Sequence, residues 1–451
     1  MDNNSILTKA LESFQSVVQE NVHIAPESYN NYKVKRGLRN SDGTGVLAGL
    51  TAIGNVHGYI VSEDEKVADE GRLLYRGIDV YDIVASCEHE HRFGYEEVCY
   101  LILFGKLPNK AELDAFNQLL SSLRPVPYDF REDVIMRCPS PNIMNKLTRA
   151  VLTNYSYDNA PDDTSLSNLI RQSMLLVARV PTMVAYAYQA KLHYYDGKSL
   201  YIHHPQENLS TAENFLYMIR DDNQFTRLEA EILDLALILH AEHGGGNNSA
   251  FATRVVSSSG SDTYAAIAAA LGSLKGPRHG GANEKVMGMI EDFKNNLENI
   301  NDADQVAEYI EKILRKEAYD HSGLVYGMGH AIYTLSDPRA VLLKKKAQEL
   351  AQLTGNEEEF RLYCLIEELT PQIFARMRGS KVMCANVDLY SGFVYKMLHI
   401  PPELYTPMFA IARMAGWCAH RMEEVLYGGK IIRPAYKSVT KAHEYTPINQ
   451  R

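Results

Sequence analysis

The sequence predicts an all-α fold with at most a small N-terminal β hairpin, and three observations carry that expectation. Apolar residues recur at three- and four-residue spacing along most of the chain. The breaks between those segments are short and rich in Pro, Gly and Asn. Strand-like alternation is confined to one place, His57-Gly-Tyr-Ile-Val-Ser. In chain order, residues 5–20 give an amphipathic helix, followed by a polar, irregular segment to about Tyr32. From Lys33 to Lys66, glycine-rich turns and the alternation suggest the hairpin. Gly71-Arg-Leu-Leu-Tyr-Arg-Gly-Ile-Asp then leads into helical patterns over 79–87, 95–104, 110–123, 142–154, 165–191 and 211–220. Leu228, Ile232, Leu235 and Leu239 continue the spacing to His240, which places His240 and His243 on neighbouring turns of one helix face. Gly244, Gly245 and Gly246 stop that helix. Thr263–Leu274 is alanine-rich, which favours a slim helix that neighbours approach closely, and Gly276 and Pro277 end it. Further helices are expected over 282–299, 304–318, 338–353, 356–377, 389–398 and 407–427, with no repeat of fixed period.

At 451 residues the chain can bury a large core, and its size suggests two or three domains. The hydrophobic fraction of 45% and charged fraction of 23% are ordinary for a soluble globular protein. A formal charge of -10 argues against non-specific nucleic-acid binding and against a general basic membrane surface, while leaving room for an anion in a local arginine pocket. Six scattered cysteines without a Cys-x-x-Cys pair point to a reducing compartment and no structural zinc. No apolar run approaches membrane-spanning length, and the N-terminus has acidic residues but no arginine before Arg36. The expectation is a cytoplasmic protein.

Several short stretches could carry chemistry. His279 sits in a Pro-Arg-His-Gly-Gly turn between two helices, where backbone N–H groups of the following helix disfavour a charged imidazole. A neutral histidine donating one hydrogen bond is the species that steadies a developing enolate. His321-Ser-Gly-Leu-Val-Tyr-Gly-Met-Gly-His330 is a glycine-bracketed loop that reads either as a flexible turn with a surface histidine or as backbone placed close to a bulky ligand. Ser336-Asp337-Pro338-Arg339 looks like a helix start, with Asp337 as cap and Pro338 at the first position. An arginine there works against the helix dipole, so Arg339 is either a solvated residue or half of an anion site. Asp388, in Asn386-Val-Asp-Leu-Tyr-Ser-Gly, reads as a helix cap, or in an enclosed site as a base for a carbon-bound proton. Phe409, Arg413, Gly416 and Trp417 share one helix face, so Arg413 interrupts an apolar stripe and needs an anion: an internal carboxylate or a ligand. Arg433, in Gly428-Gly-Lys-Ile-Ile-Arg-Pro, alone reads as a surface residue.

Together these segments resemble the citrate synthase family over most of the chain. The matching strings are Gly71-Arg-Leu-Leu-Tyr-Arg-Gly-Ile-Asp, Leu239-His-Ala-Glu-His, Gly276-Pro-Arg-His-Gly-Gly-Ala-Asn-Glu, Gly327-Met-Gly-His, Asp337-Pro-Arg-Ala, Asn386-Val-Asp-Leu-Tyr-Ser-Gly and Ile432-Arg-Pro, in the family's order. The resemblance implies a two-domain helical enzyme that condenses acetyl-CoA, a co-substrate, with oxaloacetate, needs no cofactor or metal, and works as a homodimer whose cleft closes on substrate. It implies a large domain over 1–280, a small one over 281–399 and a return of 400–451 to the large domain. Carried over by position, Asp388 is the base, His279 donates to the thioester oxygen and His330 polarises the oxaloacetate carbonyl. His243, Arg339 and Arg413 hold oxaloacetate, with Arg433 reaching in from the other subunit. Departures from the family's usual wording fall at Glu242, Arg278, Met328, Ala331 and Thr334. They leave the contacts to CoA phosphates to Arg278, Arg378 and Lys381 as candidates. Two other readings stand beside this one: 2-methylcitrate synthase, using propionyl-CoA with the same residues, and a histidine–metal protein built on His240 and His243.

Overall fold

The computed structural model describes residues 11, 14–62, 65–379 and 382–451. Among them, helices follow one another along almost the whole chain and one small sheet stands near the N-terminus, so the all-α expectation holds. The helices Tyr95–Phe104, Lys110–Leu123 and Thr263–Leu274 keep the bounds that their spacing predicts. Their starts follow from local chemistry. Asn109 with Glu112, Ser210 with Glu213 and Thr226 with Glu229 each form a reciprocal capping box that satisfies backbone N–H groups the helix leaves unpaired. Of the helix expected over 5–20, residues 14–21 are helical, and residues 1–10, 12 and 13 lie outside the described residues.

Three elements depart from expectation, the first being the helix Pro26–Asn31 in the segment expected to be irregular. Asn248–Ser258 is a helix that no expected segment covers; Asn247 caps it by accepting from Ser249 N–H. The hairpin is longer than its alternation suggests. Strand β1, Gly54–Ser62, pairs antiparallel with β2, Glu65–Tyr75, and a two-residue strand β3, Ile78–Asp79, adds to the far edge. The end of β2 alternates in burial, with Gly71, Leu73 and Tyr75 inward, but the adjacent Leu73 and Leu74 hide that period in the sequence. Gly71 has no room for a side chain: a Cβ there would stand 2.0 Å from the Ser336 carbonyl oxygen. The hairpin therefore lies directly on the segment 332–336, and hydroxyls fasten the two together. Thr334 Oγ1 accepts from Asp69 N–H at 3.1 Å, and Ser336 Oγ accepts from Gly71 N–H at 3.1 Å.

By contact density the chain forms two units. The smaller, Met1–Ala48 with Arg433–Arg451, holds the short helix Pro26–Asn31, a turn at Arg36–Leu38 and a bridge between Arg39 and Gly45. The larger, Gly49–Ile432, contains the apolar core. At its centre runs the helix Tyr405–Glu423, buried on nearly every side and packed by the helices Tyr95–Phe104, Leu166–Asp196, Arg227–His240 and Asn248–Ser258. A helix buried all round must find partners for each polar residue it carries. Arg413, His420 and Arg421 are such residues. No described helix is long and apolar enough to cross a membrane.

A buried carboxylate fixes one of these helix contacts. Asp234, on Arg227–His240, accepts from Gly94 N–H at 2.7 Å and Tyr95 N–H at 3.2 Å, and so caps Tyr95–Phe104 from outside where Gly94 offers no side chain. Asp234→Ala strands both donors and is expected to cost about 2 to 4 kcal/mol of stability. Asp234→Asn, which keeps one acceptor, costs less. Urea denaturation of the two variants measures the difference, and a loss below about 1 kcal/mol for the alanine variant removes this capping role.

Candidate active site

The helix Arg227–His240 ends at its first histidine, so His243 lies beyond the helix rather than on its last turn. His240 donates from Nδ1 to the Ala236 carbonyl at 2.7 Å, which leaves Nε2 as the acceptor nitrogen. Burial pushes its pKa down to about 3, so the ring is neutral. His243 is 7% exposed, and its Nε2 has no hydrogen-bond partner among the described residues. Burial first, then the charges of Arg339 and neighbouring groups, hold it well below the ordinary histidine range. The His243 ring meets His330 edge-on at 5.1 Å and Tyr333 at 5.6 Å.

His330 arrives on the glycine loop. Gly327 has φ 82°, and a Cβ there would stand 2.9 Å from Leu389 Cα, so both its conformation and its contact demand glycine. Gly329 N–H donates to the Cys384 carbonyl at 2.7 Å, Asn386 N–H to the Gly327 carbonyl at 2.8 Å, and Asn386 Nδ2 to the Gly329 carbonyl at 2.9 Å. These bonds dock the His330 loop on the segment that leads to Asp388. His330 Nδ1 accepts from Ile332 and Tyr333 N–H, each at 3.1 Å. With Nδ1 accepting, the ring N–H sits on Nε2. Tyr333 tilts over this ring at 4.6 Å, and its buried hydroxyl has no partner among the described residues.

The two arginines differ. Asp337 caps the helix Pro338–Thr354 as expected, and it also takes the Arg339 guanidinium, from Nε at 3.0 Å and Nη2 at 2.7 Å. Arg339 is thus neither solvated nor wholly open to an anion. Arg413 is fully buried, donates from Nε to the His240 carbonyl at 2.8 Å, and stands over the Phe409 ring at 4.6 Å. Its Nη1 and Nη2 have no partner among the described residues. Burial, opposed by Glu242 and helped by the charge of Arg339, lowers its pKa to about 10, which still leaves it a cation at neutral pH.

His279 lies half-buried in its turn, with Nε2 3.2 Å from Ser249 Oγ. That hydroxyl accepts from Trp417 Nε1–H at 3.0 Å and lies 2.8 Å from Asn247 Oδ1. Burial and then Arg413 push His279 down to about 4, so the ring is neutral at pH 7. The rings of His240 and His279 both meet Phe409, at 4.7 and 6.2 Å. Asp388 stands at the start of the helix Val387–Met397, where Asn386 rather than Asp388 is the cap. Its carboxylate accepts no hydrogen bond among the described residues. Burial raises its pKa to about 6 against the opposing pull of Arg339.

Ring contacts, hydrogen bonds and mutual charge thus gather His243, His330, Arg339, Arg413, His279 and Asp388. Arg433 belongs to the smaller unit and is exposed there. Phe409 and Tyr333 join the histidines; from sequence Phe409 enters only as part of the apolar face that Arg413 interrupts, and Tyr333 is not singled out. Of the proposed phosphate contacts, Arg278 is exposed, Arg378 donates to the Leu314 and Gly323 carbonyls, and Lys381 lies outside the described residues. A cleft of about 390 Å³ borders the His279 turn through Pro277 and Gly281, but none of the six gathered residues lines it. Among the described residues no three His, Cys, Asp or Glu side chains are grouped as for a metal ion. Chemically, the cluster offers neutral hydrogen-bond donors, a carboxylate that ionises near pH 6, and a buried cation whose terminal nitrogens have no acceptor among the described residues.

A family model described as citrate synthase, C-terminal domain, matches residues 42–435. The chain is 34% identical over 388 residues to a citrate synthase of Synechocystis sp., spanning 85% of this chain and 89% of that one. It is 31% identical over 425 residues to 2-methylcitrate synthase 1 of Corynebacterium glutamicum, spanning 93% of this chain and 99% of that one. Among solved structures it is similar to citrate synthase from Thermotoga maritima, with a TM-score of 0.73 and 31% identity over 93% of this chain and 99% of that one. It is also similar to citrate synthase from Thermoplasma acidophilum in a ternary complex with carboxymethyl coenzyme A and oxaloacetate, with a TM-score of 0.76 and 26% identity over 93% and 99% of the two chains.

Proposed function

The chain belongs to the citrate synthase family, and from that premise we propose that it condenses acetyl-CoA with oxaloacetate and hydrolyses the resulting thioester to citrate and CoA. The observation that carries this reading is Arg413, buried and cationic, with Nη1 and Nη2 unpartnered among the described residues, as is Nε2 of nearby His243. A buried guanidinium in that state calls for a carboxylate, and a planar fork fixes the face that the ligand presents. Arg413, Arg339 and His243 hold the dicarboxylate. Asp388 takes a proton from the thioester methyl group, and His279 donates to the thioester oxygen as it becomes an enolate. The enolate carbon attacks the oxaloacetate carbonyl carbon, while His330 delivers its Nε2 proton to the oxygen that becomes the alcohol. Water then cleaves the thioester. Hydrogen-bond donors and a guanidinium supply the stabilisation that the developing charges require.

The active form in this reading is a homodimer in which Arg433 completes the partner's oxaloacetate site. Residues 281–399 move as a small domain against 1–280 and 400–451, closing the cleft after oxaloacetate binds and keeping water from the enolate. A second reading, 2-methylcitrate synthase with propionyl-CoA, is favoured by relatives of that name at similar identity. One extra methylene changes discrimination by only about 1 to 3 kcal/mol.

Release of the CoA thiol on adding oxaloacetate to acetyl-CoA and, separately, propionyl-CoA tests both readings. No release from either removes them, and the ratio of the two kcat/KM values chooses between them. The pH dependence adds a further expectation. With Asp388 raised to about 6, the base is protonated at pH 5 and ionised at pH 7, so kcat/KM rises with pH through about 6. A profile flat from pH 5 to 7 would contradict the assignment.

A further inference from the structure

Behind the dicarboxylate site runs a buried line of charge. His420 and Glu242 are both fully buried, with His420 Nε2 2.9 Å from Glu242 Oε1. On the other ring nitrogen, Arg254 Nη2 lies 2.7 Å from His420 Nδ1. A guanidinium can only donate, so Nδ1 accepts and the ring N–H sits on Nε2, directed at Glu242. In this arrangement His420 delivers a hydrogen bond to Glu242. Arg254 has its own carboxylates, pairing with Glu423 and with Glu424 at 3.1 Å. Arg339 has Asp337. Of this group, Arg413 has no ion-pair partner within 4 Å among the described residues, and Glu242 is met only by His420.

These two are neighbours. Gly416 lies one turn along from Arg413 on the same helix, and a Cβ there would stand 2.6 Å from Glu242 Oε2. Glu242 Oε1 accepts from Gly244 N–H at 2.6 Å as well as from His420, whereas Oε2 is buried without a partner. The carboxylate is thus pinned by one oxygen, close to the cation but not against it. We infer that Glu242 is the standing counter-charge of Arg413, held in place by His420 and Arg254, and that it limits how tightly the site retains a dicarboxylate. Arg413 can then hold its charge in the empty site, while an arriving anion gains the guanidinium at the cost of facing Glu242. This rests on the reading that the site takes oxaloacetate, and it makes Glu242, His420 and Arg254 positioning residues for that reaction.

The test is the dissociation constant for oxaloacetate, measured by calorimetry on the full chain, with kcat from CoA release. Glu242→Gln keeps an acceptor oxygen for Gly244 and His420 and removes only the charge. Oxaloacetate should bind about tenfold more tightly, and kcat should fall as the more highly charged product leaves more slowly. Glu242→Asp keeps the charge but shortens the reach, and should bind close to wild type. A purely structural role predicts the reverse order, with the isosteric glutamine harmless and aspartate damaging. That order, weaker binding by the glutamine variant, or failure of the glutamine variant to fold would overturn the inference. If the wild-type chain binds no oxaloacetate, the proposed function itself falls, a result visible before any variant is made.

Discussion

Asp388→Asn is expected to lower kcat for CoA release by about a thousandfold, within the range that a positioned general base supplies. The substitution preserves shape and removes only the basic oxygen. Its carboxylate accepts no hydrogen bond among the described residues, so no donor is stranded. Stability should move the other way from activity. An acid whose folded pKa is about 6 instead of the ordinary 3.8 binds more protons folded than unfolded. Wild-type stability therefore falls as pH rises from about 4 to about 6, and the asparagine variant escapes that loss. Above pH 7 the variant should be more stable by roughly 2 to 3 kcal/mol, and at pH 4 the two should nearly coincide. Paired denaturation curves at the two pH values measure this. Near-normal turnover would remove Asp388 as the base, and a variant less stable at pH 7 would show that the carboxylate is stabilised in a way its burial does not account for.

The candidate site was legible in the sequence where its residues break a local rule. Arg413 interrupts an apolar helix face, and such a face needs no tertiary information to be seen. The glycine loop before His330 announces close backbone approach, and Gly327 meets Leu389 as that reading requires. What stayed hidden depends on contacts far apart in sequence. Trp417 reaches Ser249 across 168 positions and His420 reaches Glu242 across 178, so no window of spacing reveals either. Phe409 looked like core because an aromatic at helical spacing usually is. Arg339 is the instructive case between these. Its helix start was visible, but the carboxylate that answers it is the cap itself, two residues earlier, which local geometry could have suggested. The fold divides the same way: helix spacing persists through the chain, whereas the end of β2 lost its period to two adjacent leucines.

Arg413→Met is the substitution that should separate binding from stability most sharply. Losing the buried guanidinium is expected to weaken oxaloacetate binding at least about thirtyfold, the lower end of what removing one partner of a buried charge pair costs. On the fold itself, opposing effects act. Burying a guanidinium costs several kcal/mol, and methionine avoids that cost. Against this, the His240 carbonyl loses its donor, worth about 1 to 2 kcal/mol, and Phe409 loses a cation over its face, worth about 1 kcal/mol. A third effect is the exposure of Glu242 to a site without its counter-charge. The single variant should therefore melt near the wild type, and adding Glu242→Gln, which removes the remaining unmatched charge, should raise the melting temperature above it. The two substitutions share one electrostatic interaction, so their effects on stability should not add, and the deviation in a double-mutant cycle measures the pair directly. Strict additivity would mean that Glu242 and Arg413 do not sense each other, and oxaloacetate binding that survives Arg413→Met would place the dicarboxylate elsewhere.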